Sequence, residues 1–378
     1  MKNCCHITVA HPAFDNRILR KECQTLAAAG YRVTLVAPGA KDAVSGNVQI
    51  VAIAPAASRP ARFFISNWRA LAAAVRQKAD IYHFHDPDFL FFGFSALLKI
   101  ITGRPVIYDA HEDYAQVVLS REWIPIVLRK PLSHLLRFWE SFCAAHFADY
   151  VIAATTEIAR NFNPERAADV KNYPRESDFL KINKRNKFPQ DGETCRLIYA
   201  GGMEKVRGIK EAVRSLELVD NCRLYLMGDF GEKKFADEIK KLMGWAKVDF
   251  YGNIKFEAVV DNLKVSDIGI VCFHPIKRFK QSLPVKMFEY MAAGIPVIAS
   301  NFSEWKKIIE SGGCGICVDP LDPEKIAAAV NYLAANPQKA LEMGARGRQA
   351  FLHEFNWRRE GEKLVSIYAR LMLNKDNQ

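Results

Sequence analysis

Lys277, Arg278 and Lys280 crowd the approach to a proline-led stretch, Pro284-Val285-Lys286-Met287-Phe288-Glu289-Tyr290-Met291, that closes at Gly294. Proline suits the first turn of a helix and glycine its end, so this spacing predicts a helix followed by a buried strand. Cations just ahead of a helix N-terminus, where the dipole already favours negative charge, make a place for an anion. Glu289 is the one acid in that helix, and its carboxylate needs hydrogen-bond donors. Two adjacent ribose hydroxyls would serve; so would a buried structural partner. A second anion signal lies at Gly201-Gly202-Met203-Glu204-Lys205-Val206-Arg207-Gly208, between a predicted strand and a predicted helix. The backbone N–H groups of such a turn can meet phosphate, with Lys205 and Arg207 as countercharge. The spacing is not the G-x-G-x-x-G of a dinucleotide fold, which counts against an NAD enzyme. Glycines serving turn geometry alone are the plainer reading.

His111 follows the predicted strand Val106 to Tyr108 and so sits at the carboxyl edge of a sheet, where it can orient a substrate or stabilise charge. Glu112 and Asp113 are adjacent acids, and Asp86-Pro87-Asp88 has the Asp-x-Asp spacing of a metal-binding motif, with His83 and His85 close by. Capping of a helix after Pro87 explains those aspartates more simply. Cys314 and Cys317 have metal-like spacing but no second pair, and read as a turn entering a strand.

These groups need a scaffold. A chain of 378 residues exceeds what one core usually serves, so two domains are expected. Short β-branched runs alternate with amphipathic stretches, the pattern of parallel βα units. Strands are predicted at His6 to Val9, Val33 to Ala37, Val48 to Ile53, Ile81 to Phe84, Val106 to Tyr108 and Tyr150 to Ala153, with a helix from Asp15 to Ala29 ended by Gly30. The pattern lapses around Asn172-Tyr173-Pro174, and the polar run Lys181 to Glu193 reads as a linker. A second series follows at Arg196 to Ala200, Arg223 to Met227, Val248 to Tyr251, Ile268 to Cys272, Pro296 to Ala299 and Ile316 to Val318. The expected fold class is α/β, two tandem doubly wound, Rossmann-like domains: residues 1–180, residues 181–355, and a last helix in 356–378 crossing back to the first. Ligands in open α/β sheets bind beyond the carboxyl ends of the strands, so the site is expected where those ends of the two domains face each other.

The stretch Lys280 to Ser300 resembles the C-terminal motif of glycosyltransferase family 4, two glutamates separated by seven residues and followed by an Ala-Gly-x-Pro-Val-Ile run. The resemblance extends over nearly the whole chain, through Asp15-Asn16-Arg17-Ile18 with Lys21-Glu22, Asp109-Ala110-His111-Glu112, Tyr199-Ala200-Gly201-Gly202, Leu226-Met227-Gly228, Phe250-Tyr251-Gly252 and Phe355-Asn356-Trp357. It implies the GT-B fold and transfer of a sugar from a nucleotide diphosphate donor to a hydroxyl of a glycan or lipid-linked acceptor, in polysaccharide or glycolipid biosynthesis. Uridine is the expected base ahead of guanosine. Glu289 matches the glutamate that holds the ribose, Arg207 the base that neutralises the diphosphate, and His111 the histidine that contacts the donor sugar. The expected donor site comprises Gly201, Gly202, Lys205, Arg207, Gly228, Tyr251, Gln281, Ser282, Leu283, Pro284, Lys286 and Glu289, with His111 and Arg207 catalytic. Two positions depart from the pattern: Gln281 stands where the first glutamate belongs, and Gly202 where an arginine often follows the first glycine. The implied mechanism is front-face substitution with retention, in which the leaving phosphate accepts the attacking hydroxyl's proton; neither divalent ion nor cofactor is called for. The alternatives are a catalytically silent nucleotide-sugar binder, for which Gln281 and Gly202 argue, and a GT-B epimerase or hydrolase.

A net charge of +11 favours an anionic partner. No acid occurs between Asp42 and Asp80, where Arg59, Arg62, Arg69, Arg76 and Lys78 interleave with Phe63, Phe64 and Trp68. That stretch suits docking on anionic lipid, and Asp15, Arg59, Arg62, Phe63, Phe64, Trp68 and Arg69 are the expected acceptor or membrane-docking residues. A second basic and apolar stretch, Trp123 to Phe147, reads instead as a helix packed into the core. No recognition motif supports a nucleic-acid partner. No apolar run reaches the roughly 18 residues of a membrane span, and Phe89 to Leu98 reads as a buried helix. Met1 to Ala10 lacks a signal peptide's layout, and nine unpatterned cysteines read as reduced thiols. The expected location is the cytoplasm, at the inner face of the membrane.

Overall fold

Strands read from short apolar runs pair in two separate sheets in the computed structural model, which describes the chain except residues 57, 59–61, 120, 122, 183–186, 191 and 377–378, and leaves out the side chains of 62 and 374–376. One unit takes Met1–Asn172 together with Trp357–Gln378; the other takes Tyr173–Asn356.

The first unit holds β1 (Asn3–Ile7), β2 (Arg32–Pro38), β3 (Ala43–Ser45), β4 (Val48–Ile53), β5 (Ile81–Phe84), β6 (Val106–Ala110), β7 (Tyr150–Ala153) and β8 (Ala167–Asp169). Their order across the sheet is β3-β4-β2-β1-β5-β6-β7-β8, and only β3 runs antiparallel to its neighbour. β5, β6 and β7 are buried along their whole length, as parallel strands covered by helices on both faces must be. The final helix, Trp357–Asp376, belongs to this unit: Leu364, Ile367, Tyr368 and Met372 recur at helical spacing and pack on Ile18, Leu19, Cys23 and Leu26. Trp357 Nε1 donates to Thr25 Oγ1 at 2.8 Å, and Glu360 Oε2 accepts the Lys171 N–H at 2.8 Å.

The second unit is an all-parallel six-stranded sheet in the order β11-β10-β9-β12-β13-β14, with β9 (Cys195–Ala200), β10 (Cys222–Met227), β11 (Val248–Gly252), β12 (Ile268–Val271), β13 (Val297–Ser300) and β14 (Gly315–Val318). Pro284 stands immediately before the helix Val285–Ala293, and Gly294 ends it at φ +71°, a left-handed position glycine accepts without strain.

Three local readings change. The helix expected from Asp15 begins only at Ile18, because Asp15 Oδ1 accepts the N–H groups of Arg17 and Ile18 and caps it, and its first part, Ile18–Cys23, is a wider π-helical segment. The run Phe89 to Leu98 is two helices, Pro87–Phe91 and Phe94–Thr102, broken at Gly93 with φ +74°. Asp86 stands at the start of the first without capping it; its side chain instead accepts the Val9 N–H. All nine cysteines are free thiols, and Cys314 and Cys317 flank the entry to β14.

Candidate functional site

In the second unit, a cationic pocket forms where β9 and β12 end. Gly201 follows β9 at φ +135°, and a Cβ there would lie 2.7 Å from Lys286 Nζ, so only glycine lets that ammonium approach. Lys286 is 7% exposed; its Nζ rests 3.6 Å from the Tyr199 ring centroid and has no hydrogen-bond partner among the described residues. Burial, then the neighbouring Arg207, pushes its pKa well below the usual lysine value, against a smaller opposing pull from Glu289. Arg207 lies in the turn Lys205–Arg207, with its guanidinium 5.6 Å from the Phe273 ring. Arg278 stacks 4.8 Å over Phe279, and the Nε of each arginine is buried without a hydrogen-bond acceptor among the described residues. The turn is fixed by Gly208, at φ +70°, whose Cβ would collide with the Cys272 carbonyl oxygen at 1.8 Å, and by the His274 N–H donating to Val206 O at 2.9 Å. Arg207 Nε lies 3.8 Å and Arg278 Nη2 3.9 Å from Glu204 Oε2, whereas Lys286 Nζ has no partner among the described residues; a buried donor without an acceptor is costly, and an anion beside it relieves that cost. The Gly201 N–H is already committed to Met227 O at 2.8 Å, so countercharge comes from side chains rather than from that amide.

In the first unit, His111 stands just past β6 beside a cavity of about 410 Å³ lined by His11, Asp15, Arg17, His111, Glu112 and Tyr114 among others. His111 Nε2 lies 3.2 Å from Asp109 Oδ2 and 3.2 Å from His85 Nδ1. Arg17 grips Asp109 with two bonds of 3.1 and 2.9 Å, and its Nε is also 3.0 Å from Glu22 Oε1. Burial raises the Asp109 carboxyl, but Arg17 and the two histidine donors outweigh it and hold it well below the carboxylate range. Burial and the Asp109 charge drive Glu22 the opposite way, well above its usual value. One proton is thus kept between two acids facing one arginine.

The family model for "Glycosyl transferases group 1" matches residues 181–350, and that for "Glycosyltransferase Family 4" matches residues 16–167. The chain belongs to glycosyltransferase family 4. It is 26% identical over 183 residues to Spore coat protein SA of Bacillus subtilis, a match covering 46% of this chain and about half, 48%, of that one. Among solved structures it is similar to sucrose-phosphate synthase from Thermosynechococcus elongatus, with a TM-score of 0.77 at 18% identity over 99% of this chain and 100% of that one. HepE of Anabaena, in complex with UDP-glucose, gives a TM-score of 0.69 at 15% identity over 98% and 100%. These likenesses show the fold: GT-B, two Rossmann-like domains.

The remaining expected residues of this glycosyltransferase fall as follows. Gly228 ends β10 at φ +124° and packs so tightly on Gly201 that a Cβ would meet its oxygen at 2.2 Å. Tyr251 is exposed at the end of β11 and meets Tyr225 edge-on. Glu289 is half-buried on the helix carrying Lys286; Ser282, Leu283 and Pro284 lead into that helix. Gln281, Gly202 and Lys205 are exposed. Of the expected docking residues, Arg59 lies outside the described residues, as does the Arg62 side chain, while Phe64, Trp68 and Arg69 are exposed and Phe63 half-buried.

Two features were missed. His6, Glu22, His83, His85 and Tyr368 join Asp109 in one buried cluster; the signal available was His83-x-His85 on a strand whose register pairs His83 with His6. The helix Ile126–Phe147 also faces the other way from its reading. It buries the small or polar face of Ser133, Glu140, Cys143 and Ala144 and turns Leu135 (62% exposed), Phe138 (67%) and Trp139 outward.

Proposed function

We propose that this glycosyltransferase takes a sugar from a nucleotide diphosphate donor, UDP before GDP, and delivers it with retention to a hydroxyl of a glycan or lipid-linked acceptor. The observation that carries the donor assignment is the buried Lys286 ammonium, without a hydrogen-bond partner among the described residues and beside Arg207, whose charge lowers its pKa. A diphosphate is a dianionic group that pairs with Lys286 and Arg207 together, and HepE, with the same fold, is in complex with UDP-glucose. The Tyr173–Asn356 unit then binds the donor, with Glu289 on the ribose hydroxyls, and the Met1–Asn172 unit the acceptor. As the glycosidic bond to phosphate breaks, negative charge builds on the leaving diphosphate, and Lys286 and Arg207 neutralise it. The role a divalent ion plays elsewhere is thereby filled by side chains, and the leaving phosphate takes the acceptor hydroxyl's proton on the same face of the sugar. His111 orients the sugar.

The test is calorimetric titration with UDP, GDP and their sugar conjugates, with and without EDTA. Binding of one diphosphate, unchanged by EDTA and lost in Glu289→Ala, supports the reading; no binding by any of them overturns it.

The acceptor side is proposed to work at an anionic lipid surface. Glu140 is the only acid from Ile126 to Phe147 and is buried, so the outward face of that helix carries no acid: Leu132, Leu135, Phe138, Trp139 and Phe142 are exposed together with Lys130, His134 and His146. Phe64, Trp68 and Phe92 are also exposed; among the described residues no helix is long and apolar enough to cross a membrane. Flotation with phosphatidylglycerol vesicles should carry the wild type and leave Leu135→Glu/Phe138→Glu behind. Equal flotation of both, or of the wild type with neutral vesicles, refutes this docking mode.

A further inference from the structure

The buried cluster behind His111 forms one hydrogen-bonded chain whose direction is fixed by the acid at one end. His83 Nδ1 lies 2.8 Å from the Tyr368 hydroxyl, that hydroxyl 3.0 Å from His6 Nε2, His6 Nδ1 2.9 Å from His85 Nε2, and His85 Nδ1 3.2 Å from Asp109 Oδ2. Asp109, ionised and gripped by Arg17, can only accept. His85 must therefore donate from Nδ1, which leaves its Nε2 as an acceptor and makes His6 donate from Nδ1. His6 Nε2 then accepts from Tyr368, whose oxygen accepts from His83 Nδ1. Each ring carries a single proton, in keeping with burial holding all three histidines below their usual value, His85 down to about 4. His111 Nε2 is 3.2 Å from both the same Asp109 oxygen and His85 Nδ1; with the His85 proton given to the carboxylate, His111 donates to that oxygen as well.

We infer that Tyr368, His6 and His85 are positioning residues which, through Asp109, hold His111 with its proton on Nε2 and leave Nδ1 to accept a hydrogen bond from a substrate hydroxyl. The final helix is thereby tied to the site, because its Tyr368 closes the chain between β1 and β5. A metal ion is the rival occupant, since His6, Glu22, His83 and His85 place one ligand atom each within 4.8 Å of one another. The protons decide against it: both nitrogens of His6 and of His85 are already engaged, and the Arg17 guanidinium, 3.0 Å from Glu22, is the cluster's own cation.

The role of Nδ1 rests on His111 touching the sugar; the proton placement does not, so the two can fail separately. Full-length protein labelled with ¹⁵N at its nine histidines, measured above the usual histidine titration range, reads each tautomer from long-range ¹H–¹⁵N correlations, with single His→Gln variants assigning the signals. The expected pattern is Nδ1–H at His6, His83 and His85 and Nε2–H at His111. A free neutral histidine prefers Nε2–H, so three Nδ1–H rings are a signature only the chain imposes. Tyr368→Phe should leave His83 without its single-tautomer signal while His6, still donating to His85, keeps Nδ1–H, a split that a purely packing role for the ring would not give. Nε2–H at His85, Nδ1–H at His111, or stoichiometric metal in the purified protein overturns the inference. If the pattern holds but His111→Gln transfers sugar with unchanged kcat and KM, the chain stands and the sugar contact falls.

Discussion

Replacing Lys286 with methionine should stabilise the empty protein while weakening the donor, a pair of opposite effects that few substitutions give. Methionine has nearly the same length and flexibility and keeps the contact with Tyr199 and Phe273. What disappears is a buried ammonium that has no hydrogen-bond partner among the described residues and is held well below its usual pKa by burial and by Arg207. Exchanging buried charge for an apolar group of similar volume gains about 1–4 kcal/mol. The lost cation–π contact, about 1 kcal/mol, trims this. The net gain of a few kcal/mol raises Tm by several degrees, at about 2–4 °C per kcal/mol for a unit of this size. On binding, a charge-assisted bond to phosphate is lost, about 1.5–3 kcal/mol, or about a 10- to 150-fold weaker Kd. Because the folded-state pKa is depressed, the unfolded chain binds the extra proton, so wild-type stability should rise with pH toward the free lysine value of about 10.4. The variant should lack that rise. Differential scanning fluorimetry across pH, with and without UDP and GDP, measures all three. A Lys286→Met protein that melts below wild type when empty, or binds the diphosphate equally well, refutes the electrostatic account of this pocket.

Glu140, pushed up to about 7 by burial, keeps its proton in the folded state while the unfolded chain releases it from pH 4.5. Stability is therefore lost as pH rises through that window, and Glu140→Gln, which still accepts the Tyr108 hydroxyl, should gain up to about 3 kcal/mol at pH 8 and little at pH 4 in urea titrations. The buried histidines act in the opposite direction: unfolded rings take up protons as pH falls through 6.5 while His85 resists to about 4, so urea midpoints should fall over that range and fall less steeply in His85→Gln. Gly208→Ala should cost more than about 2 kcal/mol, seen as a lower melting point, because its Cβ would sit 1.8 Å from the Cys272 oxygen at a positive φ.

The sequence by itself determined what depends on local pattern. Apolar runs at strand spacing located both sheets, and Pro284 and Gly294 bracketed the Lys286 helix, because each residue's backbone preference acts where it stands. Tertiary structure decided what depends on residues far apart in the chain. His6, His85, Asp109 and Tyr368 meet only through the registers of β1, β5 and β6 and the docking of the last helix, none of which a periodicity encodes. The helix Ile126–Phe147 shows the same limit: its spacing defines two faces, but which one turns inward depends on fit. Here the narrow face of Ser133, Cys143 and Ala144 packs against the fold, while Leu135, Phe138 and Trp139, too bulky for that close approach, remain at the surface. Lys286 follows the same rule. One lysine in an apolar helix is unremarkable in sequence, and becomes a buried cation aimed at Tyr199 and Gly201 only when β9 is laid beside it.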